Sequence, residues 1–216
     1  KLRGGLESEM IYNGINFEDF KFRTNYENIA GKNIKLVQIS RLLHQQKGQD
    51  ILLEAIALLV NKFEIKNIHL DIVGDGPSEE YLKKLSESLK LQKYVSFLGP
   101  KDRSWVYSSL INYDVLVQPS RIEGFGITLI EAIATGLPVI SSNIEGPLEV
   151  LENISSAYIF DVNKVEDLAA KIKQLIFDYE LGQIEKKCLE SFKVAEARFR
   201  VKDTAINYLN AYQKML

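Results

Sequence analysis

Short apolar segments alternate with helical segments from residue 33 onward, and this alternation restricts the fold more than any other feature of the chain. Six short segments are predicted as strands, over 34–39, 68–73, 95–98, 115–118, 138–141 and 157–160. Helices are predicted between them, over 49–63, 79–91, around Trp105, 126–136 and 146–151. Strands that alternate with helices indicate βαβ units and a parallel sheet. The strands show no regular in–out alternation, which is typical of a sheet covered on both faces.

This pattern predicts an α/β fold, a Rossmann-like doubly wound parallel sheet of about six strands with helices on both faces. Residues 1–32 have no clear periodicity, and we interpret them as an entry segment or interdomain linker. Residues 33–197 form the predicted domain. Residues 198–216 are predicted as a C-terminal helix, with Leu209 and Tyr212 on one apolar stripe.

A capping box is predicted before the helix that follows the last strand. Asn163 lies three residues before Glu166. An asparagine at the N-cap accepts a hydrogen bond from the third helical residue, and a glutamate there can bond back to the N-cap N–H. The spacing therefore predicts a helix that begins directly after Asn163 and runs through Phe177.

The composition is that of an ordinary globular protein, with 46% hydrophobic and 26% charged residues among 216. The net charge of −2 gives no general attraction to nucleic acid or anionic lipid. Cys188 is the single cysteine, so no intramolecular disulfide can form, and we expect an inert reduced thiol. His44 and His69 have no cysteine cluster near them, so a structural zinc site is not expected. No apolar run approaches the ~20 residues that cross a bilayer.

The most informative motif follows the fourth predicted strand, where Glu123-Gly124-Phe125-Gly126 precedes a helix. In open parallel sheets, ligands bind beyond the carboxyl ends of the strands. Gly124 and Gly126 let the backbone approach a ligand closely. The amino terminus of the helix offers free N–H groups to an anion such as a diphosphate. The same glycines are also compatible with plain turn chemistry.

Two glutamates border this motif. Glu131 lies in a helix that is apolar nearly all round, so its carboxylate needs hydrogen-bond donors, which ribose hydroxyls would supply. Glu123 lies in the loop before the helix, where its carboxylate could accept hydrogen bonds from sugar hydroxyls. The alternatives are a glutamate on a solvated edge of the helix and a solvated loop charge.

Arg41 and Lys47 follow the first predicted strand, so we expect them at the same end of the sheet as Glu123. Two cations there could neutralise a diphosphate and the charge that develops on it as a leaving group. They are also compatible with two ordinary surface cations on a loop.

Several known motifs are absent from the sequence. There is no Asp-x-Asp pair of the kind that holds a divalent ion on a diphosphate, and no phosphate-binding loop of the ATPase type. There is no G-x-G-x-x-G after the first strand and no G-x-S-x-G. These absences argue against an ATPase, a dinucleotide enzyme and an α/β-hydrolase, and no metal or other cofactor is expected.

The segment from Glu123 to Glu131 resembles the E-x7-E signature of retaining glycosyltransferases with the GT-B fold, in the group 1 family of sucrose and mannosyl transferases. Other pieces match in the same order: Tyr12–Ile15, Ser40–Leu42 with Lys47-Gly48, Ile72–Pro77, Val95–Gly99, Gly136–Ile140 and Glu149. The resemblance spans about Ile11 to the end of the chain. Ser40 departs from a common glycine, and Glu145-Gly146 departs from paired glycines.

The resemblance implies the C-terminal half of a GT-B enzyme, which binds a nucleotide sugar as substrate without a metal. Arg41 and Lys47 would hold the donor diphosphate, Glu123 the sugar and Glu131 the ribose, with Arg41, Lys47 and Glu123 as the catalytic set. Further donor contacts are expected from Gly124, Phe125, Gly126, Ile127 and Thr128. The base is expected beside Gly99, Pro100 and Lys101.

The acceptor-binding N-terminal domain of that family is not in this chain, which begins at Lys1 rather than methionine. We therefore expect a fragment that transfers little alone, because catalysis needs donor and acceptor held together. The whole enzyme would transfer a hexose to a glycan, a lipid or another acceptor in the cytoplasm, with any peripheral contact to the inner membrane face made through the missing domain. Two alternatives are a non-catalytic nucleotide-binding regulatory module and a sugar-nucleotide epimerase of similar fold, although the Gly-Phe-Gly segment speaks against the epimerase.

Overall fold

The computed structural model of the chain describes residues 9–26 and 32–215. Its strands are β1 Ile34–Ile39, β2 Ile68–Val73, β3 Val95–Gly99, β4 Val115–Gln118, β5 Val139–Ser142 and β6 Ala157–Phe160. They form one sheet in the order β3-β2-β1-β4-β5-β6. Every neighbouring pair is parallel. The predicted Rossmann-like sheet of six strands is therefore confirmed.

Helices join the strands and follow the last of them. They are α1 His44–Lys47, α2 Gln49–Asn61, α3 Glu79–Ser88, α4 Arg103–Ser109, α5 Ile127–Ala134, α6 Glu145–Val150, α7 Val165–Glu180, α8 Ile184–Phe199 and α9 Val201–Met215. Short 3-10 turns occur at Phe17–Asp19 and Leu110–Asn112. The helices predicted over 49–63 and 79–91 end a few residues earlier than expected, at Asn61 and Ser88.

The sheet separates two layers of buried apolar side chains, because successive strand residues point to opposite faces. Leu36 of β1 belongs to the layer formed with α2 and α7. Val37 belongs to the opposite layer, which includes α5 and the carboxyl end of α8. All four residues of β4 are buried, and the first three of them are apolar. This central strand therefore shows no alternation of apolar and polar residues, as is typical of a strand covered on both faces.

The described part of the entry segment packs onto the domain. Ile15, Phe17 and Phe20 are buried in the layer that contains α5. The Ile15 N–H donates to the carbonyl oxygen of Phe199 at 2.9 Å, and the Val201 N–H donates to that of Ile15 at 2.9 Å. Residues 9–26 thus contribute to the core, while a linker role for 1–32 stays a prediction.

The last two helices are separated at Arg200, which is extended with φ −71° and ψ 125°. Helix α9 carries Ile206, Leu209 and Tyr212, each more than half exposed. The family resemblance further implies that the helix of residues 198–216 packs back toward the missing N-terminal domain. This apolar surface fits that expectation, which stays a prediction; Leu216 lies outside the described residues. Within the described residues, no helix is both long and apolar enough to cross a membrane.

The predicted capping box is wrong. Helix α7 begins at Val165 with Lys164 as its N-cap, and no side chain caps it. Asn163 lies one residue too early and takes a left-handed conformation with φ 64°. Its Oδ1 instead accepts a hydrogen bond from Arg121 Nε at 2.6 Å. A tertiary contact has therefore replaced the local one.

Cys188, a residue of α8, is buried in the layer of apolar side chains formed with α2 and α7. Burial raises the pKa of its thiol to about 12. The thiol is therefore protonated at neutral pH, and a protonated thiol is a poor nucleophile and metal ligand.

Candidate functional site

The strand order reverses between β1 and β4, and we call the space beyond the carboxyl ends of these neighbouring strands the crevice. In doubly wound sheets, ligands bind at this point, because the two crossover connections leave in opposite directions. Two loops border the crevice here. The loop of residues 40–48, which contains the one-turn helix α1, follows β1, and the loop of residues 119–126 follows β4.

Lys47 and Glu123, from different loops, meet in this crevice. Lys47 Nζ donates to Glu123 Oε2 at 2.8 Å, and both side chains are about one fifth exposed. Gln118 Nε2, at the end of β4, donates to the same oxygen at 2.9 Å. The Gly124 N–H donates to Glu123 Oε1 at 3.1 Å. The carboxylate is thus held by three donors, and the ammonium lies beside the loop that precedes α5.

Arg41 lies six residues before Lys47 on the same loop, with an exposed side chain. Its carbonyl oxygen accepts a hydrogen bond from Gln49 Nε2 at 3.0 Å, which fixes the backbone there. Lys47 thus lies at the same end of the sheet as Glu123, as expected, and contacts it directly. Arg41 is left at the rim of the crevice, with its guanidinium open to solvent.

Helix α5 begins directly after this loop. Gly126 is its N-cap and has a φ of 99°, which a residue with a side chain rarely adopts. Ile127 is exposed and Thr128 half-buried, while the six residues from Leu129 to Ala134 are buried. The amino terminus of α5 therefore opens toward the crevice, and the helix itself is anchored in the core. Free N–H groups at such a terminus favour an anion.

Glu131 is 8% exposed inside this apolar helix. Burial raises the pKa of its carboxyl group above the ordinary value, and the guanidinium of Arg103 partly opposes that rise. Arg103 Nη2, at the start of α4, lies 3.9 Å from Glu131 Oε1 and is itself largely exposed. A buried carboxylate with one distant cation has room for hydroxyl donors from a ligand.

We expect Glu131→Gln to leave the chain at least as stable as the wild type at pH 7. The unfolded carboxyl group ionises near 4.5, whereas the folded one keeps its proton to a higher pH. The contribution of Glu131 to the stability of the wild type therefore falls as pH rises from about 4.5 through the raised folded pKa, and the glutamine variant lacks this loss. Urea unfolding at pH 4 and pH 7 measures the difference.

The exposed Glu54→Gln is a control for the loss of one charge on a helix, and it should not change that pH dependence. Unfolding of the Glu131→Gln variant at pH 7 would instead show that the carboxylate has a structural role.

The loop after β3 contains the residues expected beside a base. Gly99 has a φ of 67°, and Pro100 and Lys101 are exposed. The Lys101 ammonium lies 6.0 Å from the centre of the Trp105 ring. The structure does not bring this loop into contact with Glu123. Helix α4, which begins two residues after Lys101, links the loop to the crevice through Arg103 and Glu131.

Arg121 joins the two loops, although no sequence pattern indicated it. Its Nη1 and Nη2 bond both oxygens of Asp50 at 2.8 and 2.9 Å, and Nη1 also donates to the His44 carbonyl at 2.6 Å. The Arg121 N–H donates to the Gln46 carbonyl oxygen at 2.7 Å. Such bidentate pairs fix geometry as well as energy. The sequence indicates Gln118 as a candidate site residue only weakly, because it is the polar residue at the end of an apolar strand.

Both departures from the family pattern fit their surroundings. The Ser40 hydroxyl accepts hydrogen bonds from two buried amides, Gln38 Nε2 at 2.6 Å and Gln49 Nε2 at 3.0 Å. A Cβ on Gly146 would lie 2.6 Å from the Gly124 carbonyl oxygen, so this position needs glycine. Glu145 is exposed, so its position does not require glycine.

Known proteins resemble this chain in sequence. The pattern of the family described as glycosyl transferases group 1 matches residues 19–187. Protein CapJ of Staphylococcus aureus is 27% identical over 193 residues, which cover 87% of this chain and 47% of CapJ. N-acetyl-alpha-D-glucosaminyl L-malate synthase of Bacillus anthracis is 32% identical over 146 residues, which cover 68% of this chain and 37% of the synthase. The chain spans about half or less of the length of these relatives.

Solved structures share the fold. Anabaena HepE in complex with UDP and glucose superposes with a TM-score of 0.80 at 24% identity, over 95% of this chain and 56% of HepE. Sucrose-phosphate synthase of Thermosynechococcus elongatus gives a TM-score of 0.82 at 21% identity, over 96% of this chain and 52% of the synthase. These similarities show a Rossmann-like domain of the kind found in GT-B proteins.

Proposed function

The chain belongs to the family of glycosyl transferases group 1, and from this premise we propose that it is the half of a retaining, metal-independent glycosyltransferase that binds the nucleotide-sugar donor. One observation carries the proposal. Lys47 and Glu123 meet at 2.8 Å beside the open amino terminus of α5, so a cation, a carboxylate and a helix end share one crevice.

The positive groups of this crevice suit a diphosphate. The Lys47 ammonium has three donors and can bind phosphate oxygens while remaining near Glu123. The Arg41 guanidinium, on the same loop, supplies a second cation, and the amino terminus of α5 supplies backbone N–H groups. Together they would bind the donor and stabilise the charge that develops on the leaving diphosphate. They would thereby take the place that a divalent cation has in metal-dependent transferases.

The two glutamates suit the ends of the donor. Glu123 would accept hydrogen bonds from the hydroxyls of a hexose, since its carboxylate lies beside the Lys47 ammonium that would hold the diphosphate. Glu131 would accept them from the ribose, whose hydroxyls supply the donors that this buried carboxylate lacks. We expect Glu131→Gln to weaken nucleotide binding by about tenfold, the effect of a hydrogen bond to a charged group.

A second domain would bring the acceptor. The matched residues cover only 47% of CapJ and 37% of the Bacillus anthracis synthase, and α9 presents an apolar surface. We propose that the whole enzyme transfers a hexose to a glycan, a lipid or another acceptor, and that the isolated chain binds the donor but transfers little. Stereochemical retention is supported by the family resemblance of the Glu123–Glu131 segment.

A ligand panel tests the proposal. The chain is titrated with UDP, UDP-glucose, GDP, GDP-mannose and ATP in EDTA, and its melting temperature is followed, because a ligand that binds the folded state raises it. We expect one nucleoside diphosphate and its sugar to stabilise the chain without a divalent ion, and ATP to act weakly. Stabilisation by none of the diphosphates, or only after magnesium is added, would count against the donor site. Conversion of the sugar into an epimer would favour the epimerase.

A further inference from the structure

Three aromatic rings from distant parts of the chain form a cluster behind the Glu123–Gly126 loop. The Tyr12 ring stacks on the Phe125 ring with centroids 5.8 Å apart and planes 17° apart. The Phe199 ring lies edge-on to both, at 5.7 Å from Tyr12 and 5.8 Å from Phe125. Each ring thus contacts the other two. Phe125 therefore connects this loop to Tyr12 of the entry segment and to Phe199 at the end of α8.

Tyr12 also reaches α6, which borders the loop on another side. The Tyr12 hydroxyl donates to Glu149 Oε1 at 2.8 Å. In the same helix, Gly146 packs so closely on the loop that a Cβ would lie 2.6 Å from the Gly124 carbonyl oxygen. Arg198 Nη2 donates to the Glu149 carbonyl oxygen at 2.7 Å and holds α6 to α8. The loop is therefore enclosed between α6 and the aromatic cluster, and Tyr12 contacts both.

The contacts that hold the Glu123–Gly126 loop are separate from those that hold the two cations, Arg41 and Lys47. Lys47 and Arg41 lie on the loop of residues 40–48, which Arg121 and Asp50 hold. No ring of the aromatic cluster belongs to that loop. Loosening the cluster should therefore disturb Glu123 more than the two cations.

We infer that Tyr12 is a positioning residue, which holds the Glu123–Gly126 loop through Phe125 so that Glu123 can engage the sugar of the donor. The inference rests on the proposed function of that loop. It predicts that loss of the Tyr12 ring weakens recognition of the sugar. Recognition of the diphosphate should stay nearly unchanged, because Lys47 and Arg41 lie on the other loop and the buried residues Leu129–Ala134 anchor α5 in the core.

The first measurement needs no ligand. Backbone ¹⁵N order parameters of Gly124 and Gly126 report loop motion in the unliganded chain. We expect Tyr12→Leu to lower both, whereas Tyr12→Phe, which keeps the ring, should restore most of the wild-type values. Tyr212→Leu removes an exposed tyrosine of α9 and serves as the matched control. Unchanged order parameters in Tyr12→Leu would overturn the inference.

The second measurement separates positioning from a general loss of stability. Dissociation constants are measured by calorimetry for UDP, UDP-glucose, GDP and GDP-mannose. For the pair that binds, we expect Tyr12→Leu to lower the affinity for the sugar nucleotide by about tenfold, the change that one good aromatic pair makes. Affinity for the matching diphosphate should change less than about twofold, well below that aromatic effect. Equal losses for both ligands would show a structural role only and overturn the inference.

Two outcomes keep the inference apart from the proposed function. If none of the four nucleotides binds the wild-type chain, the donor site is wrong, and the order parameters still decide whether Tyr12 holds the loop. If Tyr12→Leu does not fold, Phe199→Leu removes the edge contacts to Tyr12 and Phe125 without changing a residue expected to contact the donor. It should likewise lower the affinity for the sugar nucleotide more than that for the diphosphate.

Discussion

Replacing Lys47 by alanine should lower the affinity of the chain for a nucleoside diphosphate by about 100-fold. Two unit charges about 4 Å apart near a protein surface attract by ~4 kcal/mol, of which salt and desolvation remove a part, and ~2.7 kcal/mol corresponds to 100-fold. The variant also leaves the Glu123 carboxylate without its cation, so a negative charge then faces the phosphates. Calorimetric titration with UDP and GDP at low and at physiological salt measures the loss.

Lys83→Ala is the matched control, because Lys83 is an exposed lysine of α3 that pairs with Glu79 at 2.6 Å, outside the crevice. Its affinity should equal that of the wild type. Arg41→Ala should act in the same direction as Lys47→Ala, and the double variant should show no measurable binding. If both single variants bind the diphosphate as the wild type does, the anion site is refuted.

Replacing Gly48 by alanine should destabilise the fold by about 3–5 kcal/mol, a large part of the stability of an ordinary domain. Gly48 joins α1 to α2 with a φ of 66°, and a Cβ there would lie 1.9 Å from the carbonyl oxygen of Pro119. The left-handed conformation costs an alanine ~1 kcal/mol. The remainder comes from moving the backbone of one loop away from the other. Urea unfolding monitored by circular dichroism measures the loss.

Gly182→Ala isolates the steric part of this effect. Gly182 has the same φ of 66°, but no atom lies within 4 Å of the Cβ position, so it should lose only the conformational ~1 kcal/mol. Equal losses for the two variants would show that the close approach of Gly48 to Pro119 is unimportant. A larger loss for Gly48→Ala would show that the Lys47 loop and the β4 loop depend on this contact for their spacing.

Both predictions concern the part of the candidate site where the two loops approach each other. Gly48 permits their approach, and the pair of Arg121 with Asp50 closes them on each other. Lys47 and Glu123 then face each other across the crevice. Because the proposed catalytic set lies on separate loops, a change far from these residues can separate the cation from the carboxylate.

The sequence was sufficient to predict the fold and the end of the sheet at which the candidate site residues lie. The apolar run of β4 and the glycine-led start of α5 are local signals, and parallel strands place their carboxyl ends together. Glu131 could be identified as a candidate binding residue because a carboxylate in an apolar helix is costly without hydrogen-bond donors. Its burial is confirmed. The local signal failed at Asn163, where the hydrogen bond with Arg121 replaced the predicted cap.

Local periodicity and the alternation of strands with helices thus determined by themselves that this chain is a doubly wound α/β domain with its polar motifs at one edge. Only the tertiary structure decided which side chains meet there. Lys47 and Glu123 are 76 residues apart, and Arg121 and Asp50 are 71 apart. Such pairs depend on loop conformations that glycines permit and that packing selects, and a pattern of neighbouring residues contains no information about those distances.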